Sequence, residues 1–154
     1  MLTGELVASA GVILGLVFVG WEIRQNTLAA RAGAYQAMGS AVSSIWLDQG
    51  TDANRASVWL KLHEVSITEF PDRYTDDDLA VLVVLITGAL RQFETTWRQV
   101  QLGLLSEEAL ASFGWNADNR PSVANLLYLW PRVKPNMSPD FAAAMERIFS
   151  VAKD

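Results

Sequence analysis

His63 is the sole histidine of the chain, and it stands next to Glu64. An imidazole beside a carboxylate is the smallest set that could move a proton near neutral pH, as general acid–base catalysis requires. A lone histidine at a helix end is, however, ordinarily a surface residue or a satisfied core group. Zinc sites need two or three histidines or cysteine thiolates, and the chain has no cysteine. Di-iron bundles need Glu-x-x-His on two helices, which one histidine cannot supply. Asp76-Asp77-Asp78 is dense in carboxylates, but calcium loops alternate their ligands and close with a late Glu. Three aspartates directly after Thr75 suit the first turn of a capped helix instead. The glycines lack the spacing of a phosphate loop, and no Gly-x-Ser-x-Gly elbow occurs. The sequence therefore assigns no catalytic, metal-binding or cofactor-binding residue, and the expectation is a protein that is not an enzyme.

Two further constellations have a spacing worth reading. Arg91, Glu94, Arg98 and Gln101 fall on one face of a helix, with Glu94 and Arg98 in the favourable i, i+4 order. Such a set is ordinarily a solvated, salt-bridged face; as a functional surface, Arg91, Glu94, Arg98 and Gln99 make a polar interaction face or line a pocket between helices. Near the start, Gly4, Ala8, Gly11 and Gly15 step by four, three and four residues and include a Gly-x-x-x-Gly. That pattern lets two helices approach closely.

The second constellation extends into the longest apolar stretch, which runs uncharged for sixteen residues from Leu6 to Trp21 and then turns polar at Glu22-Ile23-Arg24-Gln25-Asn26-Thr27. At 1.5 Å per residue it covers about 24 Å, one helical turn short of a hydrocarbon layer of roughly 30 Å. Counting Met1 to Gly4 and Ile23, and allowing slight thinning of the bilayer, closes the gap. Trp21 sits where an interfacial aromatic belongs. A cleaved signal peptide needs a basic leader, and only Glu5 and the terminal amine precede the run, though Ala30-Arg31-Ala32 faintly mimics a cleavage site. A soluble protein that buries this helix against its core or a twin subunit is the remaining alternative.

All 12 Lys and Arg residues follow the apolar run, with Arg24 and Arg31 inside the window that governs topology. The expectation is a single-pass anchor, residues 1–23, with the body, residues 24–154, as one domain in the cytoplasm. A net charge of −5 with scattered basic residues excludes a general nucleic-acid binder.

Periodicity makes the body all-α. Leu28, Ala32, Tyr35, Met38, Val42 and Ile45 recur every three or four residues, so anchor and stalk form one helix to about Leu47. A second helix is predicted from Asn54 to Glu64 with Trp59 and Leu62 inward, and a core helix from the Thr75 N-cap to near Gly103. Val83, Ile86, Leu90, Phe93, Trp97, Val100 and Leu104 form its seam. Its uncharged stretch, Leu79 to Leu90, is too short to span a bilayer and is assigned to the core. A short helix opens at Ser106-Glu107-Glu108 and closes at Gly114; another starts at Ser122 or Asn125 and ends at Trp130-Pro131; Ser138-Pro139-Asp140 begins the last. The expected architecture is thus an N-terminal, transmembrane helix followed by a bundle of about five helices.

Phe93-Glu94, Trp97, Gln99 and Gly103, followed by a turn, an acidic helix start and Trp130-Pro131-Arg132, stand in this order behind the Ile-Arg-Gln-Asn-Thr junction. In these motifs the chain resembles a family of small uncharacterised bacterial proteins with an N-terminal apolar helix and a helical body. It differs in its short apolar run and in Glu22 at the junction. The resemblance implies anchoring in the bacterial inner membrane and brings no activity or ligand with it. The function expected is a membrane-anchored helical protein that contacts the bilayer through residues 6–21 and acts through self-association, as a homo-oligomer, or through a membrane-protein partner. The alternatives are a ligand-binding bundle with a pocket near Glu94 and a soluble helical oligomer.

Overall fold

The computed structural model describes residues 2–111 and 120–151, which form six α-helices and two single 3-10 turns, with no strand among the described residues. The helices are α1 (Leu2–Gly50), α2 (Ala53–Glu64), α3 (Asp76–Gln101), α4 (Glu108–Ala111), α5 (Arg120–Val133) and α6 (Pro139–Val151). The all-α class expected from periodicity is the observed one. The expected closure of α4 at Gly114 lies outside the described residues.

The segments expected as anchor and stalk form one unbroken helix of 49 residues, about 74 Å long at 1.5 Å per residue. Among its described side chains, the buried contacts with the body lie in the second half. Ala34 is buried against Leu105 and Ala109, with Met38, Val100 and Leu104 around it, and the Tyr35 and Ser106 hydroxyls share a hydrogen bond of 2.9 Å. Further along, Trp46 meets Trp59 edge-on at 6.0 Å, and Arg55 pairs with Asp48 at 2.7 Å. The seam expected from Leu28 onward therefore needs correction. Leu28, Ala32 and Tyr35 are exposed, and the packed face begins at Ala34, continuing through Met38, Val42 and Ile45.

α3 is the spine of the body. Thr75 accepts a hydrogen bond from the Asp78 N–H, and the Asp78 carboxylate accepts one from the Thr75 N–H, a reciprocal capping box. Asp78 also accepts from Lys61 at 2.8 Å, which ties the end of α2 to the start of α3. At the other end Gly103 adopts a φ of 70°, and the N–H groups of Gly103 and Leu104 return to the carbonyls of Val100 and Gln99, both at 2.9 Å. This is a Schellman closure, whose left-handed residue strongly favours glycine. Between the caps, Leu82, Leu85, Ile86, Leu90 and Phe93 are buried. Of these, Leu82, Ile86, Leu90 and Phe93 share one core with Val58 and Leu62 from α2, Leu126, Leu129 and Val133 from α5, and Phe141 and Met145 from α6. Phe141 is fully enclosed, with Phe93 and Trp97 each 5.7 Å away, ring to ring.

By length and composition α3 can cross a membrane, although 39% of its most apolar window is already buried. A core helix passes the same test, and the packing of Leu82, Ile86 and Leu90 accounts for its apolar character.

α5 departs from the sequence expectation at both ends. It is already helical at Arg120, ahead of Ser122 and Asn125, and it continues through Pro131 to Val133. Proline forfeits one bond to the carbonyl four residues back, here Leu127, and its ring lies on the exposed side within the last turn. The chain then tightens into the 3-10 turn Lys134–Asn136. Asn125 starts nothing; it lies mid-helix with no exposed surface. Its side-chain amide donates to the carbonyls of Leu62 at 2.8 Å and Val65 at 2.7 Å, and its oxygen accepts from the Ile67 N–H at 2.6 Å. The Tyr74 hydroxyl donates to the Lys61 carbonyl at 2.9 Å. Carbonyls at a helix C-terminus lack partners within the helix, so Asn125 and Tyr74 together finish α2 from outside.

Asn125→Ala strands the Leu62 carbonyl and the Ile67 N–H in the core and leaves the Val65 carbonyl to the Tyr74 hydroxyl alone, each stranded group costing about 1–3 kcal/mol. Urea unfolding of the full chain in detergent micelles is expected to show a loss of about 3 kcal/mol or more, against about 0.5 or less for the exposed Gln101→Ala. A loss below about 1 kcal/mol for Asn125→Ala contradicts this role.

Candidate functional site

The outward half of α1 stands alone. Every residue from Gly11 to Gly33 is exposed, and the large side chains from Val12 to Val19 leave 49% to 69% of their surface uncovered. At about 100° per residue, Val12, Ile13, Leu14, Val17, Phe18 and Val19 point to all sides of the helix. Nine large apolar residues from Val12 to Ile23 are exposed in this way. Covering each gains about 1.5 kcal/mol or more, so the segment carries on the order of 10 kcal/mol of unmet burial, as much as the net stability of a whole domain. Phe18 and Trp21 lie 6.2 Å apart, ring to ring, at the polar edge. Ala34, the first buried residue, follows Trp21 by thirteen positions, about 20 Å along the axis.

Gly11 and Gly15 have open space where a side chain would stand, so nothing within the chain requires glycine there. The surroundings of Gly4 and Ala8 fall outside what is described.

The polar face on α3 has a different arrangement from the solvated one expected. Glu94 is buried, with 6% of its side chain exposed, while Arg91 and Arg98 are exposed. Arg91 donates to Glu94 at 2.9 Å and the Arg98 Nε lies 3.8 Å away. The other carboxylate oxygen accepts from the Ser138 N–H at 3.2 Å, directly before α6. Glu94 thus cements α3 to the α6 N-terminus, where a helix dipole favours negative charge. Burial raises its pKa, but Ser138 and the Arg91 guanidinium outweigh that effect and hold it below the ordinary 4.5. Gln99 lies about 140° further round the helix; its side-chain oxygen is enclosed without a hydrogen-bond donor among the described residues. Arg91, Glu94 and Arg98 are therefore brought together, and Gln99 is not.

His63 forms a contact that sequence reasoning missed. Its Nδ1 lies 2.6 Å from the Ser122 hydroxyl, with either atom the donor according to the tautomer, and its ring meets Trp59 edge-on at 5.2 Å. The partners are 59 positions apart, so no local spacing announces the pair. A serine and a histidine are two members of a nucleophile–base set, which also needs an orienting group and an oxyanion site. As it stands, the contact joins α2 to α5. Burial lowers the His63 pKa from 6.5. Asp76, Asp77 and Asp78 serve the α3 cap, and no cluster of three metal-binding side chains occurs among the described residues. An open groove of about 270 Å³ is lined by Arg55, Ala80, Val81, Val84 and Leu85.

Comparison with protein-family models, curated proteins and solved structures finds no match to this chain. Function has to be argued from the geometry above.

Two titrations bear on stability. The unfolded chain protonates His63 before the folded one does, so stability falls as the pH drops below 6.5; Glu94 acts in the same direction below 4.5. Unfolding midpoints measured against pH are expected to fall in both windows. His63→Gln should flatten the upper one and Glu94→Gln the lower one. A wild-type profile that is level from pH 7 down through both windows contradicts the two assignments.

Proposed function

We propose that the chain is a membrane-anchored helical protein, held at the cytoplasmic face of the bacterial inner membrane by residues 6–21 and acting through protein contacts of its body. The observation that carries this reading is the exposed half of α1, apolar on every side from Val12 to Trp21. A twin helix covers one face of such a segment, whereas lipid covers all of it. The alternative of a soluble oligomer that buries α1 therefore needs several neighbours around each copy. Arg24 and Arg31 follow the apolar run and favour a cytoplasmic body. The motif resemblance to small bacterial anchored proteins agrees with this placement.

For the body, the support is its outward apolar side chains, among them Leu60, Phe70, Val84 and Leu102. A ligand pocket at Glu94 is the weaker reading, because Arg91 and Ser138 already occupy its carboxylate.

The full-length protein is expected to sediment with membranes and to resist alkaline carbonate, and a reporter fused after Asp154 is expected to be active in the cytoplasm. Recovery of a monodisperse protein without detergent sinks the anchor; reporter activity confined to the outside reverses the topology.

A further inference from the structure

We propose that the α1 surface just beyond Trp21 binds anionic phospholipid headgroups, with Arg24 among the lipid phosphates and Arg31 attracting them from further out. The inference rests on the membrane reading above and names the lipid class that the anchor prefers.

Between Glu22 and Asp48, α1 contains no carboxylate and no lysine, only these two arginines. Both are exposed, and neither forms an ion pair among the described residues. In the body Arg55, Arg91 and Arg98 lie against carboxylates, whereas Arg73, Arg132 and Arg147 form no ion pair among the described residues; Arg24 and Arg31 differ in having no acidic residue anywhere on their stretch of helix. The helical neighbours that could pair with Arg24 are Gly20, Trp21, Thr27 and Leu28, and those of Arg31 are Thr27, Leu28, Ala34 and Tyr35. None is acidic. Glu22 lies about 160° round the helix from Arg24, so its charge falls on the other side. Trp21, Arg24, Leu28 and Arg31 share a face about 80° wide, two cations alternating with two exposed apolar side chains.

Their heights fit a headgroup layer. With Trp21 at the interface, Arg24 lies about 4.5 Å further out and Arg31 about 15 Å. The polar layer of one leaflet is about 5–7 Å deep, and the Debye length at physiological salt adds about 8 Å. Arg24 is therefore among the phosphates and Arg31 within their electrostatic reach. A guanidinium presents a planar fork that matches phosphate oxygens. The chain as a whole is acidic, at −5 with these two arginines already counted, so attraction to a negative membrane has to arise locally at this cationic stretch.

The test uses the full chain in vesicles of phosphatidylcholine with about 30% phosphatidylglycerol, a composition whose anionic surface an arginine senses. The bromine quencher is placed on one lipid or the other. Brominated acyl chains quench tryptophan in the bilayer; Trp21 is on the anchor, and the other five tryptophans follow residue 45. Brominated phosphatidylglycerol is expected to quench about threefold more than its share of the lipid, an order set by an arginine near a charged surface. That excess should vanish in about 1 M salt, where the Debye length is about 3 Å, and in the double variant Arg24→Gln, Arg31→Gln. Brominated phosphatidylcholine should still quench the variant. Quenching of the wild type in simple proportion to lipid composition overturns the headgroup site and leaves the anchor standing. An excess that survives in the double variant overturns the role of the arginines. Absence of quenching by either lipid overturns the membrane reading itself.

Discussion

Apolar side chains on every side of a helix have to be covered by something, and in this chain that requirement falls on α1 ahead of Gly33. Among the described side chains, the body covers α1 from Ala34 onward. One backbone therefore carries two environments: Val12 to Trp21, with apolar surface all round, and Ala34 to Ile45, with a single packed face. Continuity of the helix between them fixes the spacing. The ten or so residues of stalk hold the body about 20 Å beyond Trp21 without a loop to absorb rotation. An anchored body on such a rod has a defined height and a defined face toward the membrane, which a flexible linker cannot provide.

Within the body, two buried polar groups set the register that apolar packing leaves loose. Asn125 ends α2 from α5, and Glu94 joins α3 to the start of α6. Buried amides and carboxylates are stabilising only when their partners are in place, so each tolerates one arrangement of its neighbours. The capping box at Thr75 and the closure at Gly103 fix the two ends of α3 in the same manner. The hydrophobic contacts of Phe141 and Leu82 fill the space these groups define.

What the sequence made legible was local. The continuous α1, the Thr75 cap, the end of α3 at Gly103 and the start of α6 at Ser138 each follow from signals within a few residues. What it hid was long-range. Asn125 looked like a helix start because asparagine is common there, and only the fold places it against carbonyls sixty positions away. Glu94 looked solvated because Arg91 and Arg98 lie at salt-bridging spacing, and that spacing is silent about Ser138, forty-four positions on. The pairing of His63 with Ser122 is of the same kind. The stalk seam was misplaced by two turns because Leu28 and Tyr35 keep helical periodicity where no partner exists.

The account's central claim is that lipid covers the apolar half of α1, and because the chain contains no cysteine, single-site spin labels test it without background. Labels at Phe18→Cys and, for comparison, at the exposed body position Leu60→Cys are read in vesicles for access to oxygen and to a water-soluble nickel complex. The account predicts that the Phe18 site is open to oxygen and shielded from nickel, and that the Leu60 site is open to nickel. A Phe18 label as open to nickel as that at Leu60, or one shielded from both reagents in a lipid-free soluble protein, contradicts it.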